Sequence, residues 1–211
     1  MTKIIEALNW RYATKSFDTS KKVSSDDLED IIESFRLTPS SFGLEPWKLI
    51  VIENDEIKNE LVNYSYNQKQ VGESSHLLVF TIRTDLDDNF IDEHLNNNTK
   101  ITGASRENLS GYENVMKSYF SAMNQEAKEK WAREQVFIAL GIVLNTLAQK
   151  GIDSCAIGGF NPTKYDELLG LSEKNLKSVV VLPIGYRNIY DKYSKSPKVR
   201  YDKQKIVEII K

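Results

Sequence analysis

Arg11-Tyr12-Ala13-Thr14-Lys15-Ser16-Phe17 sets two cations four positions apart with small and hydroxyl residues between them. A guanidinium grips anion oxygens bidentately and a lysine adds a point charge, so the segment suits an anionic ligand such as a phosphate. The same spacing just past a helix also describes a solvated charged face. With 28 Lys and Arg against 30 Asp and Glu, the net charge of -2 supplies no basic field for a nucleic acid, so any anion site is local.

Other chemistries are poorly provided for. The only histidines, His76 and His94, lack neighbours at metal-ligand spacing, which predicts structural roles and no metal. There is no Gly-x-Ser-x-Gly elbow, and Cys155, the single cysteine, has no histidine near it in sequence. Neither Gly-x-Gly-x-x-Gly nor a Gly-x-x-x-x-Gly-Lys-Ser/Thr loop occurs, so a Rossmann dinucleotide site and a P-loop are unsupported. If the chain is an enzyme, a cofactor carries the reaction. One cysteine fits a reducing compartment. Glu6 and Asn9 interrupt any signal-like apolar run, and the longest apolar stretch, 136–147, is too short for a membrane span; cytoplasm is the expected location.

The elements that position these residues follow from periodicity. Helices are predicted over 2–10 and from Ser24 to near Pro39, then 54–63, with two more between 85 and 124 joined by a mobile loop near 96–110. A long helix over 126–150 is apolar around most of its second half, which predicts that it is central and buried, and is capped by Gly151; another runs from Asn161-Pro162 to about Leu169. Strands are predicted at 47–52, 76–82, 153–159 and 177–184. No linker divides the 211 residues, which predicts a single mixed α and β domain over 1–211 with one modest sheet.

Five separated motifs, in order, resemble the FMN-dependent NAD(P)H nitroreductase family, in particular its oxygen-insensitive nitroreductase and dihydropteridine reductase branch. They are Arg11 to Phe17; Pro39-Ser40-Ser41 with Pro46-Trp47; Asn67-Gln68-Lys69-Gln70 before Ser75-His76; Ile157-Gly158-Gly159-Phe160; and Pro197-Lys198-Val199-Arg200. The resemblance implies an α+β nitroreductase-like fold, with a central, mostly antiparallel sheet of four to five strands surrounded by helices. It implies a homodimer with the long helix at the dimer interface.

It also implies bound FMN and NAD(P)H as co-substrate. Hydride passes to flavin N5, and then, in a ping-pong cycle, to a nitroaromatic, quinone or pterin. FMN carries a dianionic phosphate and a ring with a polar edge, so its site needs cations at one end and hydrogen bonds at the other. Lys198 and Arg200, two apart, point to one side of an extended segment and join Arg11 as candidates for the phosphate.

By resemblance Lys15 and Asn67 reach the pyrimidine edge, the Gly158 N–H lies against N5, and Tyr12, Ala13, Gln70, Ile157 and Gly159 complete the pocket. Pro39, Ser40 and Ser41 reach it from the neighbouring subunit. Phe42, Tyr119 and Phe120 fall on the substrate side. No catalytic side chain is implied; Lys15 and Gly158 tune the flavin. Gln70 stands where some relatives carry Lys. Gly158 stands where close relatives often have Glu, and Ala156 where they often have Pro. Two alternatives stay open: a flavin carrier or sensor whose mouth Phe42 narrows, and a phosphate-binding module built on Arg11, Lys198 and Arg200 alone.

Overall fold

Leu77 to Ile82 alternate between two apolar layers: Leu78, Phe80 and Ile82 pack into one core, Leu77 and Val79 into another. A strand buried on both faces must lie inside a sheet, and it does. The computed structural model describes residues 1–211. Its sheet holds β1 (Trp47–Ile52), β2 (His76–Arg83), β3 (Asp153–Ser154) and β4 (Leu176–Gly185) in the order β1-β2-β4-β3, every neighbouring pair antiparallel. Four strands meet the lower end of the predicted number.

The helices are α1 (Lys3–Trp10), α2 (Ser25–Arg36), α3 (Asp55–Asn63), α4 (Gln70–Glu73), α5 (Asp88–Thr102), α6 (Ser110–Ser121), α7 (Gln125–Gln149), α8 (Pro162–Leu168) and α9 (Lys203–Ile206). The larger core lies between the sheet and α2, α5, α6 and α7. The smaller one, around Leu61, Val71 and Tyr165, lies under α3, α4 and α8.

Side-chain oxygens start the helices where expected: Ser24 accepts from Asp27 N, Asn54 from Ile57 N, and Asn161 from Lys164 N with Pro162 at the first helical position. Helix α7 ends as predicted, with Gly151 left-handed at φ 69° and its N–H donating to the Ala148 carbonyl.

Three expectations change. The strand expected over 153–159 is only two residues long. Ser154 pairs with Ile184 and Ile157 with Val181, but between them Cys155 N donates to Pro183 O, and Pro183 has no N–H to return. The loop expected over 96–110 shrinks, because α5 continues to Thr102 and stops at Gly103, φ 74°. Arg106 then ties the connection down, donating to Asp92 at 2.5 Å and Asn96 at 3.1 Å. Finally, α7 is buried on one side only. Trp131, Val136, Ala139 and Val143 face the core, while Phe137, Ile138 and Ile142 stand 40–51% exposed. On α1, which packs on α7, Ile4, Ile5 and Leu8 are also exposed.

Candidate functional site

Ala13 forms a parallel bridge to Ser154, and Thr14 N donates to Ser154 O at 3.2 Å, so residues 11–17 run along the β3 edge of the sheet. Two buried carboxylates hold the segment there. Asp191 Oδ2 accepts the Tyr12 hydroxyl at 3.0 Å and the backbone N–H groups of Lys15 and Ser16 at 2.8 and 3.3 Å, while Oδ1 accepts Tyr193 N at 3.0 Å. Burial pushes the Asp191 carboxyl up, but these donors outweigh it and hold it below its ordinary value. Burial, then the hydrogen bond to Asp191, raises Tyr12 to about 12, so the phenol stays protonated as a donor. Asp153 accepts Thr14 Oγ1 at 3.3 Å and pairs with Arg187 at 2.6 Å; the Arg187 guanidinium also lies 4.3 Å from the Trp10 ring centroid and 4.6 Å from that of Tyr12.

Lys198 Nζ reaches back to the carbonyls of Leu8, at 2.8 Å, and Arg11. That contact folds the Pro197–Arg200 segment over the end of α1. Arg11, Tyr12, Ala13, Lys15, Lys198 and Arg200 thereby share the lining of one cavity of about 470 Å³, and no Asp or Glu lines it.

None of the three phosphate candidates has an acidic partner. Arg11 Nη2 is 3.5 Å from Tyr12 O, Arg200 Nη1 donates to Val199 O at 2.6 Å, and Arg11 Nε is buried with no partner at all. Burial and the Arg200 charge lower the Arg11 pKa; burial, then Arg11 and Arg200, lower that of Lys198. Three mutually repelling cations around one cavity, with an orphan donor among them, are the arrangement that an anion such as a phosphate would relieve.

The ring-side candidates gather further along the same edge. Lys15 Nζ lies 3.6 Å from Cys155 Sγ, three residues before Gly158. Ile157, buried, exchanges both ladder bonds with Val181, N–H to O at 2.8 and 3.1 Å. Its carbonyl therefore points at β4, and in a trans peptide the next N–H points the opposite way, so Gly158 N–H is turned off the sheet. Neither Gly158 N nor Gly159 N donates within the chain, and a Cβ at either position would meet nothing within 4 Å. Nothing in this chain demands glycine there. The open space and the free N–H groups face outward together.

Asn67 sits in the adjoining turn, with exposed side chain and φ 59°, directly after Tyr66 at φ 52°. Two consecutive non-glycine residues in the left-handed region are costly, on the order of 1 kcal/mol each, and mark a turn held for another reason.

Other candidates fall elsewhere. Pro39, Ser40 and Ser41 make no hydrogen bond to the 11–17 segment and do not line its cavity; Ser41 N donates to Gln135 Oε1 of α7 at 2.9 Å. Phe42, φ 58°, is partly buried against Tyr112 and Tyr119, with ring centroids 6.0 and 5.4 Å away and the Tyr112 hydroxyl donating to its carbonyl at 2.9 Å. Tyr119 is 40% exposed, but Phe120 is only 2% exposed and packs edge-on against Trp131 at 4.9 Å. Phe120 is a core residue and not a lining one. One face of α6 buries Met116 and Phe120, four apart, and Tyr119 lies off that face. Gln70 is also buried, and its amide donates to Gln68 at 3.3 Å instead of entering the cavity.

Sequence reasoning missed Asp153, Asp191 and Arg187. Asp153 opens a predicted strand and Arg187 and Asp191 sit in an ordinary polar stretch, and only the fold reveals that two carboxylates about 40 residues apart grip one segment.

Comparison with known proteins identifies the family and the fold. The Nitroreductase family model matches residues 8–186. The chain is 36% identical over 197 residues to "Putative NAD(P)H nitroreductase YfkO" of Bacillus subtilis (strain 168), covering 88% of this chain and 89% of that one. It is 33% identical over 215 residues to "Putative NAD(P)H nitroreductase SH0546" of Staphylococcus haemolyticus (strain JCSC1435), covering 98% and 97%. Among solved structures, a Bacillus subtilis protein described as "putative nitroreductase ydfN" superposes with a TM-score of 0.86 at 18% identity, covering 99% of both chains. A "putative nitroreductase in complex with FMN" from Exiguobacterium sibiricum gives a TM-score of 0.83 at 21% identity, covering 100% and 98%. Matched by the family model over most of its length, and by relatives above 30% identity along nearly the whole of both chains, the chain belongs to the nitroreductase family.

Proposed function

We propose that this chain is an FMN-dependent NAD(P)H oxidoreductase. The observation that carries this is the cluster of Arg11, Lys198 and Arg200 around a cavity without a carboxylate, with Arg11 Nε buried and unpartnered. Its relatives' names point the same way, and one structural neighbour is a complex with FMN.

In this reading Arg11, Lys198 and Arg200 hold the FMN phosphate. Lys15 and Asn67 supply donors to the polar edge of the ring, and positive charge from Lys15 there favours the reduced form. Gly158 and Gly159 present backbone N–H groups on the N5 side, and Tyr12, Ala13 and Ile157 form the wall that Asp191 and Asp153 stiffen. Gln70 acts through Gln68 and does not itself bind. When bound, FMN supplies reversible two-electron hydride chemistry. The chain needs no acid, base or nucleophile of its own.

The exposed apolar faces of α1 (Ile4, Ile5, Leu8) and α7 (Phe137, Ile138, Ile142) are the proposed homodimer interface, since clustered exposed apolar side chains mark association surfaces. A second copy would bring Pro39, Ser40 and Ser41 to the flavin, which accounts for their distance from the cavity of their own chain. NAD(P)H as donor and nitroaromatics, quinones or pterins as acceptors, taken in a ping-pong cycle past Phe42 and Tyr119, complete the proposal. The Phe42–Tyr112–Tyr119 cluster favours one other reading, a flavin carrier with a closed mouth.

A visible absorption spectrum of the purified protein is expected to show bound flavin. Anaerobic stopped-flow mixing with NADH or NADPH is expected to bleach it. Protein that stays colourless after FMN is added sinks the flavin reading, and flavin that both nucleotides leave oxidised favours the carrier. Sedimentation showing a monomer would remove Pro39 to Ser41 from the site.

A further inference from the structure

Gln68 is the side chain that joins the Asn67 turn to the Gly158–Gly159 turn. Its Nε2 donates to Gly159 O at 2.8 Å and to Ser65 O at 3.0 Å, and its Oε1 accepts the Gln70 amide at 3.3 Å. Two carbonyls on one end of the amide fix its orientation, because carbonyls only accept. The same pair of turns is closed from outside by Asn161 N donating to Tyr64 O at 2.8 Å and from beneath by the buried Ser65–Tyr165 hydroxyl contact of 2.6 Å.

The glycine pair is thus held at both ends. Val181 fixes Ile157 on one side, and Gln68 fixes the Gly159 carbonyl on the other. Between those two points lie two residues with no side chains, no intrachain partner for either N–H, and open space in front. The Ile157–Val181 bonds already orient the Gly158 N–H, which shares a peptide plane with the Ile157 carbonyl, but glycines are the most flexible residues in a backbone, so without the second clamp the Gly159 N–H direction and the path of the turn would not be defined. Gln68 Nε2 is also tied through Ser65 to the turn that carries Asn67 at φ 59°, so one amide sets the spacing between the Asn67 side chain and the Gly158–Gly159 backbone.

We propose that Gln68 is a positioning residue: it clamps the Gly158–Gly159 turn to the Asn67 turn so that their donors meet one flavin ring together. This rests on the FMN reading above. Gln68 is not placed in contact with the flavin; it acts by fixing those that are, as supporting hydrogen bonds do around other cofactor sites.

The test uses Gln68→Met, which keeps length and loses the donor, and Gln68→Glu, which keeps shape. In Gln68→Glu a carboxylate faces two carbonyl oxygens, and protonation restores a donor. The affinities of the apoprotein for oxidised and reduced FMN are measured by titration and redox potentiometry. In Gln68→Met the ratio of the two affinities is expected to change by at least about threefold, with oxidised FMN still bound, because the N5-side donors respond to redox state. In Gln68→Glu the ratio, compared with wild type at the same pH, is expected to depart from it above neutral pH and to return toward it as the pH falls. A merely structural role would lower both affinities equally and give no such return.

Ratios equal to wild type at every pH, in a variant that binds FMN, overturn the proposal. If Gln68→Glu fails to fold, Gln68→Met alone decides. Wild-type protein that binds no FMN instead overturns the underlying reading, a result distinguishable from the first because it appears before any substitution.

Discussion

Two basic clusters of this protein differ in one respect. Arg106 and Lys117, between α5 and α6, are matched by Asp92 and Glu113 through contacts of 2.5 to 3.1 Å. Arg11, Lys198 and Arg200 are matched by nothing but backbone carbonyls. The first cluster is a solvated clasp between two helices; the second holds unspent charge at a cavity. Density of positive residues therefore says little about binding here, and what separates the clusters is whether carboxylates have already claimed the donors.

The largest effect is expected on the ring side, where backbone donors take the place of charge. Gly158→Pro removes the N–H, while the preceding Ile157 already lies extended in its bridge and tolerates a following proline. Reduction by NADH is expected to slow by about 10²-fold in stopped-flow traces, as for loss of one preorganised donor. Gly158→Ala keeps the N–H and its Cβ meets open space in the chain, so it serves to tell lost donor from added bulk. Normal reduction kinetics in the proline variant would remove Gly158 from the ring.

Next comes the unpaired cluster. Arg200→Ala is expected to weaken FMN by about 1.5 to 3 kcal/mol on fluorescence titration, the scale of a charge-assisted hydrogen bond. Unchanged affinity would mean that the cavity's charge serves something else.

Lys198 offers a pH readout of the same cluster. Burial and its cationic neighbours lower its pKa in the free protein, and a bound phosphate would raise it again, so binding takes up a proton in the alkaline range. FMN affinity is accordingly expected to fall as pH rises through that lowered value, and Lys198→Arg should flatten the fall. A wild-type affinity that stays level across the same range would break the link.

The smallest effect belongs to the paired cluster. Arg106→Ala is expected to leave FMN affinity unchanged and to cost no more than about 1 kcal/mol of stability in urea, as exposed ion pairs do. A loss of flavin in that variant would erase the contrast between the two regions.

Much of this was legible in the sequence, for reasons that can be named. The apolar runs at 47–52 and 76–82, the caps at Ser24, Asn54 and Asn161, and Gly151 are local signals, and local hydrogen bonding realised them. The strand at 153–159 was misjudged because its length depends on Pro183, which contributes no ladder donor from a strand 30 residues away. Phe120 and Tyr119 look alike in sequence, and only the packing of α6 on Trp131 separates them. Gln70 is buried with its amide taken up by Gln68, a contact that no local pattern announces. Asp153 and Asp191 gave no signal at all, since the meaning of a buried carboxylate lies in what folds over it.

The chain also keeps its strain in particular places. Of the five non-glycine residues in the left-handed region, Phe42, Glu45, Tyr66 and Asn67 lie in the two loops flanking the proposed flavin and substrate positions, while Asn175 closes a turn before β4. Each of the four stores energy that a glycine would release, up to about 1 kcal/mol for a residue such as Tyr66. Selection for heat resistance alone would therefore relax these loops first. If a descendant made thermostable by glycine at Tyr66 or Phe42 also loses activity, the strain in these loops serves the reaction, and the order in which such changes accumulate would read out how much rigidity the reaction requires.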